Sequence, residues 1–289
     1  MCVMKNYKLI FVSVLLVFTV FVFACKKPVN SSDVPSVDVE IQNPTLPENQ
    51  VPSTPEVPTV PEVPPLETPE NPTTPEVMPE KTYAVYLRST VNGLSVRAGA
   101  GTGYKKVGYI DKGDMLAFVG YQNGWYETVY KQKTAYVYAD YIQKVNIEKT
   151  DSLTEDVIKI GEELLGYPYV YGSQRYHWGN GVLNKAFVDG EYDCSALMQY
   201  MFYKGAGVNL DVTSRLQSVQ GKPVTTLKRG DVMFFTNASG QYKTGVERIR
   251  HVGLYLGDNY ILHTASDYAV IEEISSTRWG YFMFAKKMV

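Results

Sequence analysis

Residues 192–203 read YDCSALMQYMFY, and residues 251–265 read HVGLYLGDNYILHTA. In the first stretch Ala196, Leu197, Tyr200, Met201 and Tyr203 give a helix a face that can be buried, with Asp193 or Tyr192 at its start. Cys194 then lies in the first turn, where unpaired N–H groups and the helix dipole favour a thiolate. The second stretch reads as two strands joined by the tight turn Asp258-Asn259. Hairpin partners of this kind set His251, near the start of one strand, beside His263, near the end of the other. One imidazole can then take a thiol proton while the second orients it.

Working outward, Leu227-Lys228-Arg229-Gly230-Asp231 is a turn into a strand at 232–235. Upstream, Val157, Ile158, Ile160, Gly161, Leu164 and Leu165 have helical spacing, with Thr154 as a candidate cap and Gly166 as the stop. An aromatic segment, Pro168-Tyr169-Val170-Tyr171-Gly172, leads into a polar Gly-rich loop that lasts to about Gly190 and contains His177 beside Trp178. His177 reads as cleft wall or surface.

Only three cysteines exist, Cys2, Cys25 and Cys194. Residues 9–24 are uncharged and follow Lys5 and Lys8, the order of an export signal, and 16 residues are short for a membrane span. Loss of that segment and acylation of Cys25 would leave Cys194 as a lone thiol in an exported protein, unable to form an internal disulfide. Two histidines and a cysteine also suit zinc, but no second cysteine is present and a completing carboxylate is unidentified; a buried structural cysteine is the other alternative.

Residues 28–80 hold 14 of the 16 prolines, ten acidic residues and no Lys or Arg. Such a segment is an extended, solvated spacer that could reach on the order of 100 Å. The rest of the chain, 81–289, carries 24 Lys and Arg against 20 Asp and Glu, too weak a surplus to suggest nucleic acid. Within it, 81–145 alternates Val-, Tyr- and Phe-rich pieces with turns at Asn92-Gly93, Lys112-Gly113-Asp114 and Asn123-Gly124. Five or more short strands in about 65 residues without disulfides predict a small closed barrel or a tightly curled sheet, which avoids leaving bare edges. Nothing resembling a heptad or a large apolar surface stripe is present, so a monomer is expected.

The motifs Leu94-Ser95-Val96-Arg97-Ala98-Gly99-Ala100-Gly101-Thr102, Gly124-Trp125-Tyr126 and the stretch 135–142 resemble the bacterial SH3 domain family. The resemblance implies wall binding or positioning of a neighbouring domain, with Tyr121, Trp125 and Tyr126 as candidate exposed aromatics. Tyr192-Asp193-Cys194-Ser195-Ala196-Leu197, the strand at 230–235, the strand at 251–257 and Leu262-His263-Thr264-Ala265 resemble, in order, the motifs of the NlpC/P60 cysteine peptidases. Cys25, preceded by Val22-Phe23-Ala24, resembles a bacterial lipobox.

These resemblances imply an α+β chain in which a papain-like NlpC/P60 domain follows a small all-β SH3-like barrel. The expected divisions are a signal peptide (1–24), a disordered linker (25–80), an SH3 domain (81–146) and a catalytic domain (150–289). The implied activity is cleavage of peptidoglycan stem peptides between D-glutamate and diaminopimelate or lysine, outside the cytoplasm, by a chain lipid-anchored to the membrane at Cys25, with secretion or an uncleaved N-terminal membrane anchor as the alternatives. The implied set is the nucleophile Cys194, the base His251, the polar partner His263 and, at the oxyanion site, Tyr169. Tyr171, Trp178, Tyr192, Ser195 and Arg215 are candidate substrate contacts, and neither cofactor nor metal is required. Amidase or acyltransferase chemistry with the same thiol, or non-catalytic wall binding, are the alternatives. Ala196 in place of a glycine, Tyr171 in place of a tryptophan and the long stretch between Gly172 and Asp193 depart from the family pattern and reshape the cleft wall.

Overall fold

The computed structural model describes residues 80–264 and 267–289, so the signal, Cys25 and spacer readings lie outside the described residues. Eight strands come first: β1 (Tyr83–Ser89), β2 (Leu94–Arg97), β3 (Lys106–Ile110), β4 (Met115–Ala117), β5 (Gly120–Gln122), β6 (Trp125–Tyr130), β7 (Lys133–Tyr138) and β8 (Ile142–Glu148). Then follow α1 (Ser152–Glu163), α2 (Cys194–Ala206), α3 (Ser214–Gln217), β9 (Lys222–Pro223), β10 (Val232–Phe235), β11 (His251–Gly257), β12 (Tyr260–Thr264), β13 (Ala269–Glu273), α4 (Ser276–Gly280) and β14 (Phe282–Lys287). Asp258 and Asn259 both adopt positive φ (47° and 69°), the left-handed pair that a two-residue hairpin needs to match the twist of its strands.

The expected closed barrel is not formed. Strands β2, β3, β5, β6 and β7 make an open sheet in the order β3-β2-β7-β6-β5. The other three strands of the region, β8, β1 and β4, join a nine-stranded sheet, β8-β1-β4-β13-β12-β11-β10-β14-β9. The physical reason is that β4 satisfies its edge on β13, with Met115 opposite Ile271, instead of turning back on its own region. The free edge of β4 is thus covered by sharing a sheet, while β3 and β5 remain the outer strands of the open one. A common core follows, in which Tyr86, Leu87, Val96 and Ile147 are buried in one cluster with Val157, Leu197 and Leu262.

Helix α1 starts one turn earlier than Thr154 suggested: Asp151 is the cap, accepting from the Thr154 N–H at 3.0 Å. Helices α1 and α2 approach closely at two glycines. A Cβ on Gly161 would stand 2.5 Å from the Met201 methyl, and one on Gly205 would stand 2.5 Å from the Val157 Cα. Helix α2 lies over β11 and β12 and buries Leu197, Met198, Met201 and Phe202 completely, each such side chain contributing about 1.5–3 kcal/mol. Gly207, at φ 67°, ends the helix in the left-handed conformation that a side chain would resist. The same helix that builds the core therefore also fixes where Cys194 points.

Candidate active site

The first turn of α2 is held from several directions. The Asp193 carboxylate caps it, accepting from the Ala196 N–H and the Ser195 hydroxyl, each at 2.9 Å. Arg175 donates to the other Asp193 oxygen at 2.8 Å and to Ser195 Oγ at 3.1 Å, and is itself anchored on the carbonyls of Ser173 and Val212. Gln217 donates to the Ser195 carbonyl at 2.9 Å. Arg175 comes from the long Gly-rich loop; without it, the carboxylate beside the thiol would stand uncompensated.

Cys194 is 9% exposed and lines a cleft of about 460 Å³ with Tyr169, Tyr171, Arg175, Ser195, Arg215, Asn237 and Arg250. Burial pushes its thiol up to about 12, and Asp193 adds to the rise; the backbone N–H groups of Val252 and Ser195 and the charge of Arg175 oppose it. Desolvation therefore outweighs the helix-end effect that favoured a thiolate in the sequence reading. Since Val252 follows His251 directly in β11, the sulfur abuts the start of that strand.

His251 and His263 meet as the hairpin register requires. Leu254 pairs with Leu262 and Tyr255 with Ile261, which sets His263 across from Gly253 and diagonal to His251. Gly253 makes the room: a Cβ there would lie 2.6 Å from Ile261 Cδ1 and 3.0 Å from the Cβ of His263. Across that gap His251 Nε2 and His263 Nδ1 are 2.7 Å apart. On its far side, His263 Nε2 lies 2.9 Å from Glu272 Oε1, which also accepts from Arg278 at 3.1 Å. Burial lowers His251 well below its ordinary value, with the charges of His263 and Arg278 adding to the fall, and burial lowers His263 as well. With the thiol raised and the imidazole lowered, the resting pair is neutral. A second depression of about 250 Å³ reaches His251 and shares Asn237 and Arg250 with the Cys194 cleft.

The comparisons with known proteins bear on this geometry. Residues 166–288 match the NlpC/P60 family and residues 92–143 match the bacterial SH3 domain. The chain carries an NlpC/P60-family peptidase domain with an adjacent SH3-like domain. A gamma-D-glutamyl-L-lysine dipeptidyl-peptidase of Bacillus subtilis (strain 168) is 28% identical over 171 residues, 58% of this chain and 50% of that protein. A gamma-DL-glutamyl hydrolase of the same organism is 31% identical over 176 residues, 59% of this chain and 38% of its own length. This chain thus spans half or less of these relatives. A solved NlpC/P60 family protein from Bacillus cereus ATCC 10987 aligns over 71% of this chain and 63% of its own, at 18% identity and a TM-score of 0.37.

Within the NlpC/P60 domain the remaining candidates divide. Tyr169 is half-buried on the cleft wall, its pKa raised by burial and then by Cys194, and Tyr171 stands 87% exposed at the rim. Arg215 lines the cleft with its guanidinium 3.4 Å from Glu247. Tyr192 is not in the cleft: it is fully buried among Tyr167, Phe187 and Tyr200, and its hydroxyl donates to Asp189. Trp178 is exposed on the Gly-rich loop and is not part of the Cys194 cleft wall. His177 is neither cleft wall nor surface; it is buried against Tyr203, and its Nδ1 accepts from the Gly179 N–H. Sequence reading missed Arg175, Asn237, Arg250 and Glu272. Arg250 alone carried a signal, being the neighbour of His251.

In the SH3-like region Tyr121 is 60% exposed, while Trp125 is mostly buried. The remaining edge of Trp125 lines a groove of about 570 Å³ with Tyr138, Tyr141 and Arg97. That groove is larger than the Cys194 cleft, but its wall carries no thiol, imidazole or carboxylate for acyl-transfer chemistry.

Proposed function

We propose that this chain is a cell-wall cysteine endopeptidase that hydrolyses peptidoglycan stem peptides, at the bond between D-glutamate and diaminopimelate or lysine. The observation that carries the reading is the thiol at a capped helix start abutting the first residues of a strand whose His251 is backed by a second imidazole at 2.7 Å. The activities for which the two Bacillus subtilis relatives are named, both on gamma-glutamyl bonds, support the choice of bond.

His251 takes the Cys194 proton as the sulfur attacks the amide carbonyl, so the buried anion forms only when the substrate is there to receive it. The Cys194 N–H and the Tyr169 hydroxyl meet the tetrahedral oxyanion. Collapse expels the amine, which receives the proton from His251, and leaves a thioester. Water then attacks that thioester, gives its proton to His251 and releases the carboxylate and the thiol. Arg215 and Arg250 on the cleft wall suit a substrate rich in carboxylates. The two modules, 81–146 and 150–289, would act outside the cytoplasm as a monomer, carried on a spacer anchored by acylated Cys25.

Purified muropeptides incubated with the full chain and with its C194A variant, then weighed by mass spectrometry, test this. New fragments ending in D-glutamate, made only with the intact thiol, are expected. No cleavage by folded protein across several wall chemistries would overturn the reading in favour of another acyl substrate or of binding alone.

A further inference from the structure

We propose that Glu272, held by Arg278, is a positioning residue that fixes the tautomers of both histidines and so turns a lone pair of His251 toward Cys194. The inference rests on the reading of Cys194 and His251 as nucleophile and base. Its geometry is a single file: Arg278 Nη2 to Glu272 Oε1 at 3.1 Å, Glu272 Oε1 to His263 Nε2 at 2.9 Å, and His263 Nδ1 to His251 Nε2 at 2.7 Å.

The direction of every hydrogen in this file follows from its first member. Although burial works to raise Glu272, His263 and Arg278 outweigh it and hold the carboxyl below its ordinary range. An ionised carboxylate only accepts, so His263 carries its hydrogen on Nε2. A neutral His263 then presents a lone pair at Nδ1, and His251 must donate to it from Nε2. The one ring nitrogen of His251 left with a lone pair is Nδ1, and that is the nitrogen available to a thiol proton. Without Glu272 nothing sets the order. His263 could carry its hydrogen on Nδ1 and donate toward His251, leaving His251 protonated at Nδ1 and unable to accept from sulfur.

The setting of Glu272 suits this role. His263 pairs with Val270, so Glu272 sits two positions further along β13 on the same face, a diagonal neighbour within reach of a long side chain. Its side chain is 31% exposed, whereas that of His263 is 0% exposed. Glu272 from β13 and Arg278 from α4 act on the histidine pair, Arg250 lines the depression that His251 borders, and Cys194 from α2 lies against Val252, the residue after His251. Arg278 comes from the short helix that ends against β14, and its guanidinium also lies over the Phe235 ring, 5.9 Å from its centre.

The test is long-range ¹H–¹⁵N spectroscopy of the full chain labelled at its three histidines, beside E272A, E272Q and R278Q. In the wild type both His251 and His263 should show the Nε2–H form. E272A should move His251 into a mixture containing the Nδ1–H form and lower kcat/KM on muropeptides about 100-fold, mostly in kcat, as loss of a tautomer-setting partner does elsewhere. E272Q, which can still accept through its carbonyl, should restore part of the Nε2–H population and part of the rate. R278Q should act in the same direction and more weakly, and these two variants carry the test if E272A does not fold. Folded variants that keep both Nε2–H signals would overturn the inference even if muropeptides are cleaved normally. If the tautomers depend on Glu272 but no muropeptide is ever cleaved, the functional reading fails and the positioning role stands.

Discussion

Two files of buried polar groups run through this molecule, and they begin alike. In one, Arg229 grips both oxygens of Glu155 at 2.7 and 2.9 Å, donates to the Leu256 carbonyl at 2.9 Å and reaches the Tyr86 hydroxyl at 2.9 Å; Tyr86 in turn donates to Glu162 at 2.6 Å. In the other, Arg278 grips Glu272, which meets His263 and through it His251. Both start from a guanidinium and a carboxylate. What differs is the far end. The Arg229 file passes through a tyrosine that burial raises well above its ordinary value, and its carboxylates, Glu155 and Glu162, border a depression whose wall carries no thiol or imidazole. The Arg278 file ends on imidazoles lowered by burial, the last of which borders a cleft. An ion pair becomes chemical machinery when it is coupled to a group that can take up a proton and meets a substrate; otherwise it is a fastener.

The contrast can be attacked from either side. The largest effect should come from C194A, which ought to cut muropeptide turnover by at least ~10⁴-fold while changing urea unfolding by less than about 1 kcal/mol. Equal losses in both assays would erase the distinction. R229M should show the reverse pattern: a loss of about 3–5 kcal/mol in urea unfolding, because Glu155 is left buried without its partner, and a kcat/KM near that of the wild type under conditions where the variant is folded. G253A lies on the chemical side. The added methyl must displace His263 or Ile261, and a misplacement of about 1 Å should lower kcat/KM about 100-fold, read against a modest change in thermal midpoint.

Smaller effects probe the fastener itself. Y86F should cost about 1–2 kcal/mol by urea titration and leave the pH dependence of cleavage unmoved. The two carboxylates of that file then predict opposite slopes of stability with pH. For Glu155 burial works upward, but Arg229 and the Thr150 N–H prevail and hold the folded carboxyl low. Its stabilisation is full above the unfolded value of about 4.3 and drains as pH falls through the folded value. Glu162 is raised by burial, so its contribution is present in acid and lost as pH rises through the folded value. E155Q should therefore flatten the acid limb of a stability–pH curve, whereas E162Q should remove a decline that sets in as pH rises above the ordinary carboxylate range.

Much of this was legible because it is local. Asp193 and Cys194 declare themselves together, since a cap and the first turn it serves are adjacent in sequence. His251 and His263 could be paired because the Asp258-Asn259 turn sets a register over a few residues. Glu272 was silent, being one of many carboxylates on exposed strand ends until the β12–β13 pairing brings it under His263. Tyr192 misled because an aromatic beside a nucleophile suggests a cleft wall, yet its side chain points into the cluster with Tyr200. The fate of β4 was out of reach for a similar reason: its hydrophobic pattern specifies an edge to be covered, but not that Ile271 covers it.

The pairing of Met115 with Ile271 also constrains how this chain could be rearranged by recombination. A crossover in the link between β8 and α1 would look harmless in the sequence, falling between two recognisable modules. It would part β4 from β13 and Arg229 from Tyr86 in one cut. A replacement for the first module would have to bring a strand in the right place and a hydroxyl in the right place at once. Inheritance at this seam is all or nothing.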